Sequence, residues 1–136
     1  MLISQIEQKI IERLKEKIKD LHIEGFPDKP QQFSLIHPKG AILIHYQGAN
    51  YSQTNSTSSI FQDKKLEFAL TIITRNLRNN DGAYEYLDKI RGILTGCKID
   101  GCSKMHPIKE TFLSEDAGIW QYSINFELTT TNIEED

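Results

Sequence analysis

The first part of the chain repeats apolar residues about once per helical turn. Ser4 and Glu7 stand in the spacing of a capping box, which marks the start of a helix. The apolar positions of the repeat are Ile6, Ile10, Leu14, Ile18 and Leu21. Charged residues of both signs fill the positions between them, so the pattern predicts an amphipathic helix that lies across a sheet with its polar side in solvent. A coiled-coil strand is the alternative, but such strands need more heptads than this stretch contains.

The middle of the chain predicts three strands and a long polar loop. A short strand over residues 21–26 leads into a connection that contains glycine and proline. Residues 40–48 form an apolar run between two glycines, and residues 66–75 alternate between apolar and polar positions; both patterns predict strands. Between these two strands, residues 49–59 are rich in Ser, Thr and Asn, and a loop of this length is commonly functional or disordered.

A second helix and a hairpin complete the predicted fold. Asp81 is the predicted N-cap of the helix, and Gly96 is its C′ glycine. The apolar residues assigned to this helix are Ala83, Tyr84, Leu87, Ile90 and Leu94. Residues 105–113 and 119–131 predict the two strands of a hairpin around a wide turn. The order of elements predicts a single α+β domain over residues 1–136, with two helices packed on a mainly antiparallel sheet and a long C-terminal β-hairpin.

The last predicted strand is longer than a compact domain needs. Its 13 residues span about 43 Å at ~3.3 Å per residue, which is more than twice the length of a common strand. We therefore expect part of this strand to project beyond the body of the protein. A projecting strand has an open edge, which is either blunted or paired with another chain.

The composition is that of an ordinary globular chain, but its charges are unevenly placed. Of the 136 residues, 38% are apolar and 26% are charged, and the net charge is −3. This mild acidity argues against a protein that binds nucleic acid through general electrostatics. Residues 111–136 hold six acids and no Lys or Arg, so the remainder carries 16 − 13 = +3. A subunit that packs head to tail against its own copies could use this asymmetry for steering, although a solvated surface is the simpler interpretation.

We expect a protein without a signal peptide and without a membrane span. The first residues place Glu7 and Lys9 among the apolar positions, unlike a secretion signal. The longest apolar runs are far shorter than the roughly 18 residues that a membrane span requires. In a cytoplasm the two cysteines, Cys97 and Cys102, are expected to be reduced thiols.

Residue motifs give little indication of chemistry. Cys97, Cys102 and His106 stand in a C-x4-C-x3-H spacing that offers three zinc ligands. A structural zinc site needs a fourth ligand, so two ordinary loop thiols are the preferred interpretation. The sequence contains no nucleophile motif and no glycine-rich phosphate loop. We therefore predict a protein that is not an enzyme and has no catalytic residue, no cofactor and no metal.

Several segments of the chain resemble one family of phage proteins. They are the helix at 6–18, the step Gly25-Phe26-Pro27, the strand at 40–46, Asn80-Asp81-Gly82-Ala83-Tyr84-Glu85-Tyr86-Leu87-Asp88-Lys89-Ile90-Arg91, Gly101-Cys102 and Trp120-Gln121-Tyr122. Together these segments cover most of the chain and are similar to the small tail-terminator proteins of Mu-like contractile-tailed phages and related phage-tail-like particles. The Asp-Gly-Ala-Tyr helix start and the Trp-Gln-Tyr strand are the most specific parts, and both also have ordinary roles in capping and packing.

The resemblance implies a structural function. Tail terminators have an α+β fold and assemble as a hexameric ring at the head-proximal end of the tail, where the ring stops tube and sheath polymerisation and offers a surface to the neck. The implied partners are further copies of this chain, tail tube and sheath proteins, and neck or connector proteins. Neither a membrane nor a specific nucleic-acid sequence is among them. The implied locations are the host cytoplasm during assembly and then the virion tail or tail-like particle.

The candidate assembly contacts are charged residues that flank the predicted central strand or lie in the hairpin. They are Lys64, Lys65, Arg75, Glu115, Asp116 and Glu127. The hairpin at 105–131 and the polar loop at 49–59 are the regions predicted to contact neighbouring subunits, tube or sheath. Two alternatives stay open: a head-tail completion or connector protein, and a small metal-binding protein that uses Cys97, Cys102 and His106.

Overall fold

The computed structural model describes residues 2–30, 33–35, 37–53 and 59–135, with the side chains of 59–61 and 132–135 left out. The elements, in chain order, are α1 (Ile3–Lys17), β1 (His22–Gly25), β2 (Gly40–Tyr51), β3 (Ser59–Thr74), α2 (Ala83–Leu94), β4 (His106–Asp116) and β5 (Ile119–Glu135). The five strands form one sheet in the order β1-β2-β3-β5-β4, in which only β1 and β2 are parallel. The predicted α+β fold is thus confirmed. Neither helix of the described ranges has the length and apolar composition needed to cross a membrane.

Both helices pack on one face of the sheet. Their large buried residues are Ile6, Ile10, Ile11 and Leu14 in α1 and Tyr86, Leu87, Ile90 and Leu94 in α2. The sheet meets them with Ile42, Ile44, Leu66, Phe68, Leu70, Ile72, Ile124, Phe126 and Leu128. Phe68 and Phe126 lie directly opposite each other on β3 and β5, and both are completely buried. Because burial of such a side chain stabilises a fold by about 1.5–3 kcal/mol, these two strands anchor the centre of the core.

The first helix begins earlier than the sequence prediction. It starts one residue before Ser4, and the Oε1 atom of Gln5 accepts the backbone N–H of Leu2 at 2.7 Å. The predicted cap at Ser4 is therefore wrong, because Ser4 lies inside the helix and a glutamine closes its first turn. The apolar repeat continues past the end of the helix, since Ile18 and Leu21 are both buried.

The predicted N-cap of α2 is also wrong. The carboxylate of Asp81 accepts a hydrogen bond from the side-chain amide of Asn76 at 3.0 Å and does not cap the helix. The first backbone N–H groups of the helix, those of Ala83 and Tyr84, donate instead to the carbonyls of Asn76 and Leu77. The backbone before the helix thus supplies the partners that a side-chain cap would otherwise supply.

The connection between β1 and β2 covers one corner of the opposite face of the sheet. Phe26 packs edge-on against His45 of β2, with ring centroids 5.4 Å apart. Arg75, which follows β3, donates to the backbone carbonyl of Leu35 at 3.2 Å and to that of His37 at 3.4 Å. The apolar residues buried on this face are Ala41, Leu43, Ala69 and Ile73. The connection therefore provides a second, smaller apolar layer.

The C-terminal hairpin turns in two residues. Ala117 and Gly118 have φ values of 51° and 82°, as a type I′ turn requires. The N–H of Gly118 donates to the carboxylate of Glu115 at 2.8 Å, and this bond closes the turn. The wide turn predicted over residues 114–118 is therefore wrong, because β4 stays paired through Asp116.

The strands β3 and β5 extend beyond the rest of the sheet. They pair with each other along the whole of β3. However, β2 follows β3 only as far as Lys64, and β4 follows β5 only as far as Glu127. The outer ends, residues 59–63 and 131–135, form a two-stranded ribbon that neither neighbouring strand flanks. The last strand thus extends past the body of the sheet, but it does so mainly with residues 132–135, which lie beyond the strand predicted at 119–131.

Candidate assembly surfaces

The sheet has an open strand edge on each side. On one side, β1 pairs with β2 only up to Ile44, and the next bond joins the N–H of Phe26 to the carbonyl of Ile44 at 2.8 Å. Residues 46–51 of β2 have no strand beside them on that side within the described part of the chain. On the other side β4 is the last strand, and no described residue pairs with its outer edge. Open edges present free backbone donors and acceptors, so they are suited to pairing with another chain.

The edge formed by β4 concentrates exposed apolar side chains. Seven large apolar residues of the described chain are exposed, and four of them lie on β4 or on the adjacent part of α2. These four are Tyr84, Ile108, Phe112 and Leu113, at 43–51% exposure, and together they are called the β4 surface. Two bulges leave Ile108 and Leu113 without a partner residue on β5. Single exposed apolar residues are common, so it is the grouping of Tyr84 and Phe112 around Tyr122 that marks this surface as a candidate interaction site.

A groove of about 420 Å³ lies between β4 and α2 beside this surface. Phe112 packs against Tyr122, and Tyr122 packs against Tyr84, with ring centroids 5.5 and 6.2 Å apart. Arg91 of α2 reaches the carboxylate of Glu110 on β4 at 3.4 Å. Burial, together with the neighbouring Tyr84, raises the pKa of Tyr122, so this phenol stays neutral in physiological conditions. Aromatic faces and one ion pair therefore form a site that suits an apolar side chain of a partner.

Two tyrosines of α2 have roles that differ from the sequence prediction. Tyr84 is one of the apolar residues assigned to the predicted helix, and core packing is the ordinary role of such a position, but the structure leaves it 44% exposed. Tyr86 is completely buried instead, and its hydroxyl donates to Asp20 at 2.7 Å. The buried stripe of the helix runs through Tyr86, Ile90 and Leu94 at intervals of four, so the spacing did contain the signal that identifies Tyr86.

The opposite edge of the sheet carries an exposed aromatic ring and two lysines. Tyr51, at the end of β2, is 53% exposed, and the Nζ atom of Lys64 lies 5.3 Å from its ring centroid. A cation–π contact at an exposed site contributes about 0.5–1 kcal/mol. Lys65 lies opposite Asn50 on the neighbouring strand. Residues 46–51, together with Lys64 and Lys65 of the neighbouring strand, are called the β2 edge. Lys64 and Lys65 are two of the six proposed contact residues.

Two further proposed contact residues lie at the other end of the sheet. Glu115 and Asp116 are exposed beside the hairpin turn, whereas the lysines of the β2 edge are at the opposite ends of their strands. The acidic segment 111–136 does not form one pole, because β5 runs the full length of the sheet and ends beside residues 59–63. The net charge of −6 on residues 111–136 and of +3 on the remainder is therefore a property of the sequence. It does not give the molecule two oppositely charged sides.

The last two proposed contact residues have partners within the molecule. Arg75 holds the β1–β2 connection through the carbonyls of Leu35 and His37. The carboxylate of Glu127 lies 3.5 Å from the Nε2 atom of His106 and is only 20% exposed. The structure thus does not bring either residue to an open edge.

The polar loop predicted at residues 49–59 is shorter in the structure. β2 continues through Tyr51, and β3 begins at Ser59. The N–H of Ser52 donates to the carbonyl of Asp63 at 2.9 Å, and its hydroxyl accepts the N–H of Asp63 at 2.8 Å. Both ends of the predicted loop therefore belong to the β2–β3 hairpin, while residues 54–58 lie outside the described residues.

The cysteines and His106 do not converge on one site. No group of three or more His, Cys, Asp or Glu side chains in the described ranges is placed to hold a metal ion. Both cysteines are free, and Cys102 is buried in the core, where burial raises the pKa of its thiol. His106 pairs with Glu127 on the polar face of the sheet. This geometry gives no support to the metal-binding alternative.

A larger groove, of about 930 Å³, lies between the β1–β2 connection and the first two strands. Phe33 and Leu35 form its apolar side, and His22 pairs with Glu24 at 3.2 Å on its other side. Residues 31, 32 and 36 of the same connection lie outside the described residues. The groove therefore carries no assignment.

Comparison with known proteins relates this fold to a family. The family model described as Gp37 protein matches residues 10–136. The chain belongs to the Gp37 family. A search of curated proteins found no match. Among solved structures, a chain from the virion of a native gene transfer agent particle matches with a TM-score of 0.60 and 8% sequence identity, over 90% of this chain and 92% of that one.

The two matches, like the sequence resemblance, cover most of the chain. The Gp37 match includes the start of α2 and the Trp120 strand, which are the most specific parts of the resemblance. The structural match is with a virion protein, and at 8% identity it shows a common fold. The resemblance to a phage tail-related family is thereby supported.

Proposed function

We propose that this Gp37-family protein is a non-catalytic structural component of a phage tail or a phage-tail-like particle. In this proposal six copies form a ring at the head-proximal end of the tail, end the polymerisation of tube and sheath, and join the tail to the neck. The observation that carries the proposal is the match in fold with a gene transfer agent virion protein over 90% of this chain. The Gp37 assignment over residues 10–136 supports the same class of protein.

Termination in this proposal is a matter of binding surfaces. One face of the ring matches the last tube ring, and the opposite face does not repeat that match, so growth stops. A closed ring requires each subunit to present two different patches to its two neighbours. The β4 surface and the β2 edge lie at opposite edges of the sheet and differ in composition, which supports an arrangement of this kind.

Deletion of the gene in a strain that produces the particle tests the proposed role. We expect tubes and sheaths of uncontrolled length in negative-stain images, with normal lengths restored by a plasmid copy. A head-tail completion protein, the second candidate, predicts tails of normal length that fail to join heads. Normal particles in the deletion strain would refute both roles.

The ring itself is tested separately with purified protein. We expect native mass spectrometry to show a closed oligomer of six copies, either free or after addition of tube protein. A monomer at every concentration, both alone and with assembled tubes, would refute the ring.

A further inference from the structure

We propose that neighbouring copies join edge to edge, so that β4 of one copy lies along residues 46–51 of β2 in the next and the sheets become continuous. This inference deepens the proposed function and rests on the ring. It specifies the partner of the β4 surface as a second copy of the chain and specifies which strand of that copy it contacts.

The directions of the strands fit this pairing. β3 is antiparallel to β2, β5 is antiparallel to β3, and β4 is antiparallel to β5, so β4 runs opposite to β2. Copies related by a ring axis share one orientation with respect to that axis. The β4 strand of one copy therefore runs antiparallel to the β2 strand of its neighbour, which is the more stable pairing.

The positions of the two edges along the strands also fit. Through the intervening strands, Pro107 lies level with Tyr46, and Phe112 lies level with Ile42. Most of β4 is thus level with the part of β2 that pairs with β1. The open residues 46–51 of β2 begin at the level of Pro107, near the start of β4. Joining the two edges requires a displacement of about five residues along the strands, or about 17 Å at ~3.3 Å per residue.

A ring supplies a displacement of this size. The four long strands of each copy span about 19 Å at ~4.8 Å per strand. Strands in closed barrels tilt by about 35–45° from the axis, and across 19 Å this tilt displaces neighbouring copies along the strands by about 13–19 Å. The required 17 Å lies within that interval. Beyond Leu113 the neighbour's β4 must diverge from β2, because the N–H of Phe26 already binds the carbonyl of Ile44.

The side chains at the two edges complement each other after this displacement. Ile108, which a bulge leaves unpaired on β5, comes beside Tyr51, whose ring is exposed at the end of β2. In the same antiparallel register Glu110 comes beside Ala49, whose partner on the inner strand is Leu66. β4 carries exposed charged residues, Lys109 and Glu110, as protected edge strands do, but Ile108 and Leu113 beside them are exposed and apolar. The two bulges and Pro107 limit a regular ladder to about four residues, so side-chain packing supplies most of the contact.

A cross-linking experiment tests the pairing directly. The natural cysteines are replaced by Cys97→Ser and Cys102→Ala, and Tyr51→Cys and Ile108→Cys are introduced in one chain. A short bismaleimide reagent should then give a ladder of covalent oligomers from assembled protein. A matched chain with Leu2→Cys and Ile108→Cys, whose residue 2 is also exposed, should give none.

A variant with charges introduced on β4 provides the second test of the interface. Ile108→Asp with Leu113→Asp should lower the ring fraction at least about tenfold, since a loss of 1.4 kcal/mol already has this effect. Leu2→Asp is the control, and the far-ultraviolet circular dichroism of all three proteins should agree. If the wild-type ring forms but survives the double substitution or gives no Tyr51–Ile108 cross-link, this interface is wrong while the ring stands. If the wild type never forms a ring, the proposed function fails as well.

Discussion

The hydrogen bond from Tyr86 to Asp20 ties the second helix to the segment between α1 and β1. The ring of Tyr86 is completely buried, and its hydroxyl lies 2.7 Å from a carboxylate oxygen of Asp20. The same oxygen lies 3.6 Å from the Nζ atom of Lys39. The substitution Tyr86→Phe keeps the buried ring and removes only the hydroxyl, so it isolates this one interaction.

The expected loss of stability is about 1 kcal/mol at neutral pH. A hydrogen bond to a charged acceptor contributes about 1.5–3 kcal/mol. The side chain of Asp20 is 40% exposed, so water replaces part of the lost bond and the value must be reduced. The Tyr86 hydroxyl also holds the pKa of Asp20 below its ordinary value of 3.8. Because the pKa is lower in the folded state, this stabilisation is present above pH 3.8 and is lost as the pH falls through the folded-state value.

Urea denaturation followed by circular dichroism at pH 7 and near pH 2.5 measures both effects. We expect Tyr86→Phe to unfold about 1 kcal/mol more easily at pH 7, with a clearly smaller difference at low pH. Tyr84→Phe is the matched control, because this tyrosine is exposed on the same helix and should change little. An equal loss at both pH values would refute the argument about the ionised carboxylate. No loss at pH 7 would refute the hydrogen bond.

Further predictions concern the backbone contact at Gly82 before α2, the core and the two thiols. Gly82→Ala should destabilise by about 1–3 kcal/mol, because a Cβ atom there would lie 2.0 Å from a backbone oxygen. Gly92→Ala is its control in the same denaturation series and should stabilise by about 0.5–1 kcal/mol, because nothing lies within 4 Å of the added Cβ. Phe126→Ala should cost about 3–5 kcal/mol, and a midpoint close to that of the wild type would contradict its central position in the core. Cys97 should be alkylated by iodoacetamide faster than the buried Cys102, and equal rates by mass spectrometry would contradict the burial.

The elements of this fold could be predicted where the apolar period is long. The repeat from Ile6 to Leu14 identifies α1, and the alternation after Trp120 identifies β5, because each pattern extends over several turns or residue pairs. The helix caps could not be predicted in the same way. Ser4 and Asp81 have the right chemistry, but the choice of a cap depends on which backbone and side-chain groups the fold brings nearby.

The candidate surfaces were largely hidden in the sequence. Ile108, Phe112 and Leu113 resemble core residues of a strand, and they are exposed because β4 is the last strand of the sheet and carries two bulges. Strand order is decided by contacts between distant residues, which no local pattern records. Lys64 and Lys65 could be proposed from their charge, but their place beside an open backbone edge depends on how short β1 is.

The position of β5 inside the sheet determines when the protein can fold during synthesis. Residues 119–135 are synthesised after the other four strands of the sheet, yet they lie between β3 and β4 in the strand order. A nascent chain that lacks them exposes one side of β3 and has no partner for β4, and closing such distant strands is slow. Folding is therefore completed after translation of the last strand. The β2 edge and β4 therefore belong to one sheet only once residues 119–135 are in place. In the proposed ring, a chain that lacks these residues would be excluded from the interface.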